Sequence, residues 1–412
     1  MKKLITLLAV LGITVSLWAE LYTPHRFIEF GVDTEEGASN NYFRIDEIFV
    51  KKLVIDLQKM SKDLSGSGLK LGFMTDEKVF FNFNRGERFR LGIFTQLEGA
   101  GFANAPESLF DLLGKGYKAG DKFSADVEGF ADLFFSIGVN FHTTIFEKYG
   151  ITVTPAYFVP LAYVEKMTAE VSLTSGSDTG IRAEAVAPID VYSPFSLQKY
   201  KENAFSGGDI PSDLGKSLQK GGFDLALEVE RPIFRSLDLG VFTRIPLVPA
   251  TLDHKMSMRA YAYYSVNNLM GVLDDSMETD SDYGMDDFVY TSGESKKVWR
   301  PFRFGVEGAW RPFGDWCTFR PMIALVVRNP YTSGARIVYP EYALVAEGMF
   351  FNMLGLNVGT SYKNKAFIQQ LGLTFNFRVF ELNAKVMLRG SSFVSSFNWN
   401  GAGAAVGIRF GW

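Results

Sequence analysis

The last eleven residues of the chain divide into two faces. Ala402, Ala404, Val406, Ile408, Phe410 and Trp412 fall on one, and Gly403, Ala405, Gly407, Arg409 and Gly411 on the other. Successive side chains of a strand point to opposite sides, so this pattern places one face in an apolar phase and the other in water or a packed lumen. The same alternation sets Phe380, Leu382, Ala384, Val386 and Leu388 against Glu381, Asn383, Lys385, Met387 and Arg389, and Leu371, Leu373, Phe375 and Phe377 against Gly372, Thr374, Asn376 and Arg378. It recurs upstream. Leu133, Phe135, Ile137, Val139 and Phe141 oppose Asp132, Ser136, Gly138, Asn140 and His142; Phe223, Leu225, Leu227 and Val229 oppose Asp224, Ala226, Glu228 and Glu230; and Phe302, Phe304, Val306 and Trp310 alternate with Arg303, Glu307 and Arg311. A tilted strand needs about 9 to 11 residues to cross hydrocarbon, and these segments have that length. A soluble β-sandwich alternates too, but with shorter strands and a polar face turned to bulk water.

Membrane helices are excluded by the same sequence. Beyond the amino-terminal leader no run approaches the ~20 apolar residues a helix needs to span a bilayer, and the compact run Met322 to Val327 has only six. Yet 47% of the chain is hydrophobic and 15% aromatic, with 38 Phe and 40 Gly. The leader itself, Met1, Lys2, Lys3, an apolar run from Leu4 to Trp18, then Ala19, has the layout of a cleavable secretory signal that leaves Glu20 as the mature start. No cysteine stands there to carry a lipid anchor. An exported, apolar chain without helical spans has a closed barrel as its membrane solution, because only closure pairs every strand. The predicted fold is therefore an all-β transmembrane antiparallel barrel of about 14 strands, within limits of about 12 to 16. The single cysteine, Cys317, permits no internal disulfide, and a net charge of -4 offers no basic surface for nucleic acid.

Two segments break the strand rule. From Ile45 to Leu64 the apolar positions Ile45, Phe49, Leu53, Leu57, Met60 and Leu64 recur every three or four residues, the period of an amphipathic helix, and Ser65-Gly66-Ser67-Gly68 ends it. The expected division is a signal peptide (1–19), an amino-terminal hatch or plug (20–67) and a barrel (68–412). The helix is expected in the lumen or on the periplasmic rim, its lysines meeting lumen acids such as Glu228 and Glu230 and its Phe49, Leu53 and Leu57 facing an apolar ligand. The second segment, Ser108 to Gly116, presents Leu109, Phe110, Leu112 and Leu113 beside Lys115. It reads as a landing site for an apolar ligand with a carboxylate, or equally as a loop helix packing on its own barrel.

Connections alternate between tight and long, as turns and loops do in outer-membrane barrels. Arg231 to Ser236 and Arg311 to Trp316 read as copies of one tight turn, whereas Ser193 to Gly221 and Val266 to Val298 read as long loops. Pro155 and Pro160 imply kinks or bulges in their strand. The acidic loop with Asp274, Asp275, Glu278, Asp280, Asp282, Asp286 and Asp287 fails the calcium-hand spacing, since Tyr283 stands where the glycine belongs, so no metal is expected. His25, His142 and His254 are scattered, no Gly-x-Ser-x-Gly elbow or phosphate loop occurs, and His142 is the lone candidate for a lipase-like site. The chain reads as a non-enzyme without cofactors.

The run Pro24-His25-Arg26-Phe27-Ile28-Glu29-Phe30-Gly31-Val32, followed by Ser39-Asn40-Asn41-Tyr42-Phe43, the helical segment and the aromatic terminus resemble the FadL-type family of outer-membrane transporters for long-chain fatty acids and other hydrophobic compounds, in particular its treponemal (spirochaete) branch. That resemblance implies a 14-stranded barrel, an amino-terminal hatch, and a lateral wall opening at a kinked strand, here the Pro155 and Pro160 region. It also implies passive diffusion of hydrophobic small molecules, with outer-membrane lipid around the barrel. The Asn-Pro-Ala motif of the family's hatch is absent, so ligand residues are not carried over. The terminal Phe410 and Trp412 resemble the signal read by the outer-membrane barrel assembly machinery. A general porin, or a surface-exposed adhesin or binding barrel, are the competing readings.

Overall fold

Each strand in a bilayer must give its backbone N–H and C=O groups to a neighbour, because an unpaired group in hydrocarbon costs several kcal/mol. The computed structural model describes residues 26–45, 57–64, 68–86, 88–108, 122–146, 148–176, 180–196, 198, 215–267, 278–285, 289–314, 316–332, 334–351, 353–377 and 379–412. Among them are eighteen strands: β1 (Ile28–Asn40), β2 (Leu69–Asn84), β3 (Phe89–Ala105), β4 (Lys122–Ile145), β5 (Tyr149–Gly176), β6 (Gly180–Ser193), β7 (Gly222–Phe234), β8 (Leu237–Val248), β9 (Ala250–Asn267), β10 (Glu278–Met285), β11 (Val289–Val298), β12 (Phe302–Trp310), β13 (Cys317–Arg328), β14 (Ile337–Phe350), β15 (Leu354–Lys363), β16 (Ala366–Phe377), β17 (Phe380–Gly390) and β18 (Gly401–Gly411). Helix among the described residues is short: α1 (Leu57–Leu64), α2 (Phe393–Phe397) and a 3-10 turn (Leu218–Lys220).

Antiparallel pairing runs β1, β2, β3, β4, β5, β7, β8, β12, β13, β14, β15, β16, β17, β18 and back to β1, a closed ring of fourteen. The count matches the sequence expectation. Outward positions carry the apolar faces read above: Ile323 is 61% exposed, Val386 63% and Leu371 50%. Short connections gather at one end of the ring, here the turn end, with exposed Phe146, Phe234, Phe313, Trp316, Phe351 and Trp412 around it. Aromatic girdles of this kind sit where hydrocarbon meets headgroups. The opposite, loop end carries most of the longer connections, although β15 and β16 meet there through Asn364 and Lys365 alone, both with positive φ (50° and 62°) as a two-residue hairpin of this hand requires.

Several expectations are corrected. Residues 28–40, assigned to the hatch, form a wall strand: Ile28, Phe30 and Val32 alternate with Glu29, Gly31 and Asp33, and β1 zips β18 to β2 along its whole length. The barrel therefore begins at Ile28 and not at residue 68. Because β1 crosses the wall first, α1 falls in the β1–β2 connection, at the loop end of the ring and away from the turn end. Met60 and Leu64 pack there on Tyr42, Phe43, Leu69 and Ala105, while Lys59 and Lys62 are exposed and far from Glu228 and Glu230 at the other end. The stretch 266–298 is no mere loop, since it contains β10 and β11. The two supposed copies of a tight turn also differ. β7 continues through Pro232 to Phe234, leaving a two-residue turn, whereas β12 stops at Trp310.

The four strands outside the ring build a wall above it. β6 pairs with the upper part of β5 and with β9, and β9 pairs in turn with β10 and β11. The sixth position of the barrel is consequently shared. Its upper part is β6, which ends at Ser193, and its lower part is β7, which starts at Gly222.

Candidate functional site

The shared position leaves a break in the wall. On β5, Phe158 pairs with Gly222 of β7 and Tyr163 pairs with Tyr192 of β6, but residues 159–162 have no ladder partner on that side among the described residues. Across the break, β8 pairs with β7 up to Val248, and β9 rejoins β6 at His254. Pro160 marks the level: it faces Phe134 of β4 at a register shift, with Leu161 left over as the bulged residue. A proline lacks the N–H that a ladder needs, so it is tolerated where the ladder is already interrupted. Pro155 pairs with Leu225 on the β7 side, while the β4–β5 ladder passes over it between Ala156 and Val153.

Side chains replace the missing backbone bonds. Gly221 N donates to Tyr157 Oη (2.8 Å), and that hydroxyl donates to the carbonyl of Leu218. Lys220 Nζ meets both carboxylate oxygens of Asp253 at 2.6 Å. Behind the break lies an apolar cluster of Phe134, Phe158, Tyr163, Ala250, Leu252 and Val298, all buried, drawn from β4, β5, β9 and β11.

Below this cluster the lumen is crossed by ion pairs. Glu98 of β3 accepts from Arg244 of β8 (2.9 Å) and from Arg300 (2.5 Å), and Arg300 also donates to Asp224 of β7 at 3.0 Å. Arg328 of β13 reaches Asp132 of β4, and Arg303 reaches Glu341 at 2.6 Å. Such pairs hold strands several ring positions apart, and their charges are satisfied because each is paired and hydrogen-bonded.

Toward the turn end the lumen opens into a cavity of about 570 Å³, lined by nine basic and seven acidic side chains together with Phe80, Phe94, Phe242 and Met322. The space exists because glycines face it. Phe80 lies over its ladder partner Gly31, Phe94 over Gly138 and Phe242 over Gly305; a Cβ at any of the three would come within 2.5 Å of the ring. Rings that lie down along the wall leave the centre free. His142 lines this cavity with its Nδ1 3.0 Å from Thr152 Oγ1.

Of the other sequence candidates, Leu109, Phe110, Leu112, Leu113, Lys115, Phe49 and Leu53 lie outside the described residues, as do Asp274, Asp275, Asp286 and Asp287 of the acidic stretch. Leu57 opens α1, and its side chain is likewise outside them. Phe410 and Trp412 end the outward face of β18, 51% and 72% exposed. The Trp412 carbonyl accepts from Phe27 N at 2.6 Å, and Trp412 N donates to the Ile28 carbonyl at 3.1 Å. Sequence reasoning missed Glu98, Arg244 and Arg300. A charge inside an apolar strand was the available signal, but which charge meets which depends on strand register.

No protein-family model matches the chain, and no curated protein is similar to it in sequence. Among solved structures the chain is similar to the toluene transporter TodX of P. putida (10% identity over 94% of this chain and 91% of that one, TM-score 0.41). It is also similar to the toluene transporter TbuX of Ralstonia pickettii (8%, 94% and 90%, TM-score 0.42). The translocator domain of the autotransporter NalP from Neisseria meningitidis is a further such structure (9%, 95% and 90%, TM-score 0.32).

Proposed function

We propose that this barrel is an outer-membrane conduit for hydrophobic small molecules, long-chain fatty acids first among them, which move by passive diffusion without a cofactor. The observation that carries the reading is the break at the sixth wall position with an apolar cluster behind it. Phe158 and Leu252 are fully buried, so a hydrophobic molecule takes this route by displacing part of the cluster, with lipid on the far side of the break. Leaving sideways, it does not cross the ion pairs, whose groups would lose their partners to admit an apolar chain. The segment with Leu109, Phe110, Leu112, Leu113 and Lys115 belongs to this proposal as the first contact at the loop end. Phe410 and Trp412 belong to it as the stretch that assembly machinery engages, since their exposed rings add little packing.

The charged turn-end cavity favours a second reading, a channel for polar solutes. Liposomes and planar bilayers separate the two. Under the first, purified protein binds a fluorescent long-chain fatty acid saturably and speeds its transfer into liposomes while ionic conductance stays near background. Porin-sized conductance without saturable binding would establish the second in its place.

A further inference from the structure

The turn-end cavity is more than a wet vestibule, because its charges are not equivalent. Arg300 is taken by Asp224 and Glu98, Arg244 by Glu98, Arg303 by Glu341, Arg311 by Asp238 (2.6 Å), and Arg409 by Asp33 and Glu381. Lys78 of β2 differs from these. It lines the cavity two residues from Phe80 on the same strand face, and its ammonium stands 4.9 Å from the centre of the Phe94 ring and 5.9 Å from that of Phe80. Among the described residues its three N–H donors meet no hydrogen-bond acceptor, and no carboxylate lies within 4.0 Å. The acids whose fields reach it are engaged elsewhere: Asp33 by Arg409 at 3.4 Å, and Asp76 by the Gln96 amide at 2.7 Å.

We infer that this cavity is a second binding station, for a monocarboxylate with an apolar tail, whose headgroup sits on Lys78 and whose tail lies along Phe80 and Phe94. The inference rests on the transport reading above and gives the cavity a part in it. Phe80, Phe94 and Ala156 form a buried apolar cluster beside the ammonium, so cation and apolar surface share one wall. The volume of about 570 Å³ falls within the roughly 300 to 1,000 Å³ of small-molecule sites. An ammonium over phenyl faces keeps its donors directed at the open side, where a carboxylate oxygen completes the hydrogen bonding.

The test compares one polyene chain with two headgroups, cis-parinaric acid and its methyl ester, binding to the detergent-solubilised full-length protein at pH 8. In the parent the acid binds more tightly than the ester by about tenfold, as one charge-assisted hydrogen bond in a partly dry site provides. Lys78→Met brings the ratio close to one by weakening the acid alone, and Lys78→Arg keeps the parent's preference. Heat-modifiable gel mobility establishes that each variant is folded, and Lys78→Gln stands in if the Met variant is not. An unchanged ratio in Lys78→Met, or equal binding of acid and ester by the parent, overturns the assignment of Lys78 and leaves the transport reading intact. Failure of the parent to bind either compound overturns both.

Discussion

The wall from β13 through β18 and β1 to β3 and the wall from β5 to β9 solve one problem in two ways. In the first, each ladder from β13–β14 round to β2–β3 runs without a register shift, and the backbone alone holds neighbours together. In the second, β5 changes partner part-way up, and the β4–β5, β5–β6 and β7–β8 ladders all contain shifts. There a phenol, a lysine–aspartate pair and a buried ion-pair set do what N–H···O=C bonds do elsewhere. A continuous ladder is insensitive to side-chain identity but intolerant of added bulk. A side-chain repair depends on a few named groups.

The largest expected effect comes from adding bulk to the regular wall. At Gly403 a Cβ would stand 2.4 Å from the Glu36 carbonyl oxygen on the facing strand, a backbone atom fixed by its own ladder. Gly403→Val should cost more than about 3 kcal/mol and abolish the heat-modifiable band; a normal band would show that the regular wall yields to bulk. A middle effect is expected where the two walls are tied together. Glu98→Ala takes from Arg244 and Arg300 the carboxylate they share, while Arg300 retains Asp224. The loss should be about 2 kcal/mol in a urea titration, with ionic conductance rising as the crossing opens. A variant as stable and as closed as the parent would dissociate the ion pairs from both roles. The smallest effect belongs to Tyr157→Phe, which deletes the hydroxyl bonded to Leu218 and Gly221. About 1 kcal/mol is expected, felt locally as faster amide exchange over residues 215–222 and not in the unfolding midpoint. Equal protection there would mean that the break is held by other contacts.

Much of the regular wall is legible in the chain itself. The two faces of β16, β17 and β18 match the alternation of Leu371, Leu373, Val386, Val406 and Ile408, and counting such segments leads to fourteen strands because each is long enough to cross hydrocarbon once. The broken wall is not legible in the same way. Gly180 to Ser193 and Gly222 to Phe234 look like two strands with a loop between them, and nothing local tells that they occupy one position in the ring. That fact resides in the register of β5, where Pro160 was visible as a kink but its consequence was not. The lumen is harder still. Lys78, Phe80 and Phe94 read as ordinary strand residues, and only pairing puts Gly31 opposite Phe80 and Gly138 opposite Phe94, which makes the cavity and sets the ammonium over the rings. The hatch boundary failed for a related reason. β1 is moderately polar, with Glu29, Asp33, Glu35 and Glu36, and its strand character depends on partners at the far end of the chain.

That dependence on the far end has a consequence in time. β1 closes the ring against β18, and the hydrogen bond from Val406 N to Thr34 Oγ1 joins residues 372 positions apart. Loop-closure entropy and contact order both place such a contact late in folding. The strand made first waits almost the whole length of synthesis and export for the one made last. Until β18 arrives, β1 presents an unsatisfied edge, and an exposed edge is a template for any other extended chain. A truncated chain ending before Gly401 would carry two such edges, on β1 and β17, so the quantity at risk in a premature stop is the whole barrel and, through aggregation, its neighbours.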